Sequence, residues 1–129
     1  MFNNNAAQIL IVVFFIITYF ISVLEKITAW KNTTNYYSNH FKKTILHKLV
    51  PILLIHIVIL EIIAFVVLAL GLYYLITEAS FLTAKIGLEI SAIILIQFLA
   101  GQRLAKDYPG AMNITIYFIL NIIGIYILT

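Results

Sequence analysis

Apolar residues fall in four long runs, each broken by only a few polar positions. The first runs from Ala6 to Leu24 without a charge, interrupted by Gln8, Thr18, Tyr19 and Ser22. The second follows Pro51, which suits the first turn of a helix because its missing N–H would have no partner there, and continues from Ile52 to Ile76 with His56 and Glu61 inside it. The third, from Ala84 to Gly101, holds Lys85, Glu89 and Gln97 and is the least hydrophobic; the fourth, from Ala111 to Leu128, is uncharged and follows the turn signal Pro109-Gly110. A helix needs about 20 mostly apolar residues to cross a hydrocarbon core roughly 30 Å thick. The pattern therefore predicts an all-α polytopic membrane protein. Its expected form is a four-transmembrane-helix bundle in one integral domain over residues 1–129, with spans at 6–24, 52–76, 84–101 and 111–128. The first run reads as a permanent helix rather than a secretion signal. Met1 to Asn5 carry no Lys or Arg, the run is long for a signal core, and no small-x-small site follows it.

The connection from Glu25 to Val50 is long for a bundle loop. Trp30, Tyr37, Phe41 and Ile45 recur at steps of seven, four and four, while His40, Lys43 and His47 mark another face. This spacing predicts an amphipathic interfacial segment after the first span. Trp30, Tyr36 and Tyr37 suit the headgroup level on that side, and Tyr73, Tyr74 and Tyr126 suit it on the other.

Composition supports the bilayer reading. Of 129 residues, 64% are hydrophobic and only 10% charged, against roughly half and about a quarter in soluble domains. Too few charges remain to coat a water-facing surface. Four spans place the termini and the Thr77–Thr83 link on one side. The opposite side then holds Lys26, Lys31, Lys42, Lys43, Lys48, Arg103 and Lys106, and Lys85 alone lies with the termini. By the positive-inside rule both termini are expected to be periplasmic. The basic cytoplasmic face would meet anionic lipid, which accounts for the pI of 9.2 without invoking nucleic acid. There is no cysteine, so thiolate ligation and thiol exchange are excluded on this chain.

Polar residues inside the spans are the candidates for chemistry. Glu61 lies ten residues after Pro51, about 15 Å in, where an acidic side chain costs roughly 2.5–3.5 kcal/mol to insert. Glu61, Ala64, Leu68 and Gly71 share one face, whose small residues allow a second helix to approach closely. Asn113, Tyr117, Asn121 and Gly124 share a face of the last span, and counting from the same side makes Asn121 the expected partner of Glu61. Gln97, His56 and Asn113 are expected to form a second polar layer. His56 is the only histidine within a span, so haem held between two histidines is not expected. His40 and His47 are a weak metal signal, and the sequon Asn32-Thr33-Thr34 is read as chance. No nucleophile with a base, glycine-rich phosphate loop or zinc signature occurs, so no catalytic residue and no metal ligand is assigned.

Several stretches together resemble the DoxX family of small four-helix bacterial membrane proteins over essentially the whole chain. They are Leu24-Glu25-Lys26-Ile27, the amphipathic connection, Pro51, Leu60-Glu61, Gly71, and the run from Gly101 through Gln102-Arg103-Leu104-Ala105-Lys106-Asp107-Tyr108-Pro109-Gly110 to Ala111. The last run is similar to the basic connection of DoxX-like proteins from Bacteroidetes-type bacteria. The resemblance implies an inner-membrane protein with relatives named for a subunit of a thiosulfate:quinone oxidoreductase, and others associated with membrane oxidoreductase complexes in stress responses.

Three functions follow as expectations. The first is a non-catalytic accessory or scaffolding subunit that holds other subunits of a membrane complex. The second is a quinone-interacting subunit of a membrane oxidoreductase, with Glu61, Asn121 and His56 around the headgroup. The third, transport of a small solute or proton, rests only on the buried Glu61.

Overall fold

The computed structural model describes residues 5–45 and 47–129. Among these residues the fold is entirely helical: α1 (Ala6–Thr28), α2 (Trp30–His40), α3 (Val50–Glu78), α4 (Leu82–Leu104) and α5 (Tyr108–Ile127), with a short 3-10 turn at His47–Leu49 before α3. Four of the helices, all but α2, are long and apolar enough to cross a membrane. This is the architecture of a multi-pass membrane protein. Each expected span lies within one of the long helices, apart from Leu128, which caps α5. The helices α1, α3 and α4 outrun their apolar runs by two to four residues at one or both ends.

The four long helices pack in the order α1, α3, α4, α5, each antiparallel to the one before it, with a lighter contact closing α5 onto α1. Gln8 near the start of α1 donates to the carbonyl of Ile127 at the end of α5 at 3.3 Å, so the described ends of the bundle meet on one side. The long connection lies on the opposite side, the connection side. The core is a column of Val12, Phe15, Tyr19, Ala64, Leu68, Leu75, Ala84, Leu88 and Ile94. Large apolar side chains such as Ile17, Phe20, Ile55, Ile59, Leu70, Ile93 and Ile119 point outward instead. That outward apolar surface suits lipid and would be a liability in water.

Close approach of α3 and α4 depends on small residues. A Cβ on Gly71 would come within 2.5 Å of the Ala84 backbone, and one on Gly87 within 2.7 Å of Leu68. The whole expected stripe of Glu61, Ala64, Leu68 and Gly71 is buried.

Two turns differ from expectation. The interfacial helix stops at His40 and Phe41–Ile45 form turns, so the stripe ends with Phe41 against Gly101 and leaves Ile45 85% exposed. Pro109 and Gly110 lie inside the first turn of α5, because Asp107 caps that helix by accepting from the Gly110 N–H at 3.0 Å. Chain reversal happens earlier, at Lys106, which has a left-handed φ of 58°.

Candidate functional site

On α1, steps of three and four residues from Val12 through Phe15, Tyr19 and Ser22 end at Lys26, so these five side chains share one face. That face packs toward α3 and α4. Lys26 is therefore not a residue of the basic platform: only 8% of it is exposed, and its Nζ lies 2.9 Å from Glu61 Oε1. Removing Lys26 from the charge count leaves six basic residues on the connection side against Lys85 on the other.

A closed triangle of hydrogen bonds results. Lys26 Nζ donates to Ser22 Oγ at 2.6 Å and to Glu61 Oε1 at 2.9 Å, and Ser22 Oγ donates to Glu61 Oε2 at 2.6 Å. Both carboxylate oxygens are satisfied, and the ammonium also lies 5.8 Å from the centre of the Phe98 ring on α4, within cation–π range. A buried charge is tolerated when it is paired and hydrogen-bonded, whereas deleting one partner of such a pair typically costs about 3–5 kcal/mol.

Asn121 is not the partner of Glu61. Its Nδ2 donates to the Leu88 carbonyl at 2.9 Å and its Oδ1 has no partner. Leu88 lies ten residues along α4 from Phe98, about 15 Å at helical rise, so Asn121 and the ion pair occupy different levels. The expectation counted depth from Pro51 and Ala111 as though α3 and α5 began in one plane. They do not. Glu61 is the twelfth residue of α3, yet Ser22 and Lys26 lie in the last turns of α1, so about 16 Å of α3 extends past the pair toward the connection side. Glu61 thus sits at the connection-side end of the first span rather than midway along it. A separate buried polar contact joins the Tyr19 hydroxyl to Ser91 Oγ between α1 and α4.

Where α1 ends, α3, α4 and α5 continue, and the residues Tyr37 and Phe41 of the connection close over the gap. The half-open cavity there has a volume of about 520 Å³. Its walls are mainly apolar, with Leu53, Leu54, Ile57, Phe98 and Ile114 among them, and Ser22 and Lys26 also line it. Tyr37, His56, Gln97 and Gln102 are the polar residues among the rest of its lining. His56 and Gln97, expected in one polar layer, both line this space, His56 from an exposed position, whereas Asn113 is exposed and outside the lining. Glu61 stands behind Lys26 and does not line the cavity.

The lid is anchored at its far end. His40 Nε2 lies 3.3 Å from Asp107 Oδ2 at the start of α5, and His40 stacks on Tyr36 with ring centres 5.7 Å apart. Burial pushes the Tyr37 phenol above its ordinary range, and nearby Tyr36, Glu61 and Glu25 push it in the same direction. Among the described residues there is no group of three His, Cys, Asp or Glu placed to hold a metal ion.

Lys26 is the site residue that sequence reasoning missed. The signal was present as the continuation of the 12, 15, 19, 22 stripe to 26, but a span bounded by its first charge stops short of it. No protein-family model, curated protein or solved structure matches the chain.

Proposed function

We propose that the chain is a DoxX-like protein of the bacterial inner membrane that serves as the quinone-interacting subunit of a membrane oxidoreductase complex. The cavity at the connection side is the observation that carries this reading. Its volume of about 520 Å³ falls in the range of small-molecule sites, and its apolar walls with a few convergent polar groups have the usual character of such sites. A quinone headgroup is apolar on its faces and carries only acceptors. Lys26, Tyr37, His56 and Gln97, all among its lining residues, carry groups able to donate. Glu61 is a positioning residue here, holding the ammonium, and Asn121 has no part in the site. The role is that of an accessory subunit, with electrons supplied by a redox-active partner.

Gentle purification from native membranes, with quinone extraction and mass spectrometry of co-purifying proteins, tests this. Retained quinone that falls in a folded Lys26→Met/Glu61→Leu double variant is expected. A quinone-free wild type, or equal content in both proteins, overturns the reading. The proposed orientation places both termini in the periplasm, supported by the six-to-one basic asymmetry. A cysteine at Thr129 should then react with an impermeant thiol reagent in intact cells, and labelling only after lysis reverses the orientation.

A further inference from the structure

Two spaces of opposite character meet at Lys26. On one side lies the apolar cavity. On the other, a cleft of about 270 Å³ separates the end of α1 from the start of α2 and is lined by Glu25, Lys26, Asn32, Thr33, Tyr36 and Tyr37. Lys26 and Tyr37 line both spaces. Every residue of the cleft carries a polar group, and Glu25, Asn32 and Tyr36 are exposed. At about 30 Å³ per water the cleft has room for several waters, with the polar partners they need.

We infer that this cleft is the aqueous access to the buried ion pair, the route by which Lys26, Ser22 and Glu61 exchange protons with water on the connection side. The inference rests on the quinone reading only for the occupant of the larger cavity. Ser22 accepts from Lys26 and donates to Glu61, which is the arrangement a proton relay requires. Lys26 passes a proton to Ser22 Oγ as Ser22 passes its own to Glu61 Oε2, leaving a neutral amine and a neutral carboxylic acid. A proton from water in the cleft then restores the ammonium. The other titratable groups lining the two spaces are Glu25, Tyr36 and Tyr37 from the cleft and His56 from the cavity. A ligand reaching the cavity from the bilayer and a proton reaching Lys26 from water would thus arrive by separate paths.

Because the chain has no cysteine, a single Ser22→Cys substitution reports access to the relay in the full-length protein. A small anionic methanethiosulfonate tests the aqueous path, and N-phenylmaleimide tests access through the apolar cavity. Reaction with both reagents is expected. Adding Thr33→Trp, which fills the cleft, should slow the anionic reagent by about an order of magnitude and leave the maleimide rate nearly unchanged. Should Ser22→Cys fail to fold, Tyr37→Cys on α2 replaces it as reporter with the same expected response. Modification by the maleimide alone, or an anionic rate indifferent to Thr33→Trp, overturns the inference. Quinone content measured on the same preparations separates the two proposals. An intact aqueous path without quinone sinks only the ligand reading, and retained quinone without the path sinks only this one.

Discussion

Lys26 and Glu61 stand 35 residues apart in the chain and 2.9 Å apart in the fold, with one partner 8% and the other 1% exposed. Neither charge is tolerable there without the other. Lys26→Met or Glu61→Leu alone should each lower stability by about 3–5 kcal/mol, because each leaves an uncompensated buried charge. The double variant removes both and should recover most of that loss. Unfolding of the four proteins in detergent, followed by helical signal, gives the coupling energy directly. Losses that simply add would show that the two charges do not stabilise one another.

Gly71 is the tightest point between α3 and α4. A methyl group there meets the Ala84 backbone at 2.5 Å, and backbone cannot rotate aside. Gly71→Ala should therefore force the helices apart and cost about 1–3 kcal/mol, the usual range for overpacking. Gly101→Ala is the matched control. Its methyl would lie 3.4 Å from the end of the Phe41 ring, so improved helix propensity should leave stability unchanged or higher. Melting temperatures of the two variants test the contrast, and equal losses would refute it.

How far each part of the structure could be read beforehand depended on range. The four spans were legible because lipid imposes a length and a polarity on every crossing helix, and the Glu61–Gly71 stripe was legible because helical spacing is local. Depth was not. Pairing Glu61 with Asn121 needed the relative offset of α3 and α5, which is set by how far each helix projects past the bilayer core and leaves no mark in hydropathy. The same limit concealed the cavity: it exists because α1 ends early while its neighbours continue. Lys26 was hidden differently, since a lysine beside an apolar run reads as its boundary until a buried carboxylate is found opposite.

The reversal between α4 and α5 is built on an unfavourable residue. Asp107 N–H donates to the Gln102 carbonyl at 2.8 Å and Lys106 N–H to that of Arg103 at 3.1 Å, the paired bonds that end a helix through a left-handed residue. That position is Lys106, with φ 58°, where a side chain costs roughly 1–2 kcal/mol. Lys106→Gly should stabilise the protein by about 1 kcal/mol after allowing for the greater freedom of glycine in the unfolded chain. A higher melting temperature with unchanged helical content checks it; a lower one would mean the lysine side chain contributes more than its backbone strain removes.

Tyr37 gives the lid a dependence on alkaline pH. Burial is the main cause that raises its phenol, with Tyr36, Glu61 and Glu25 adding to it. The folded state thus holds this proton more tightly than the unfolded chain, where a tyrosine ionises near pH 10. Its contribution is fully present below about pH 10 and is lost as pH rises from there through the folded value, since the folded state binds more protons in that window. Stability measured from neutral to strongly alkaline pH should fall above about pH 10, and Tyr37→Phe should flatten that part of the curve. An unchanged alkaline slope in the variant would assign the loss to other tyrosines and place the Tyr37 hydroxyl in water.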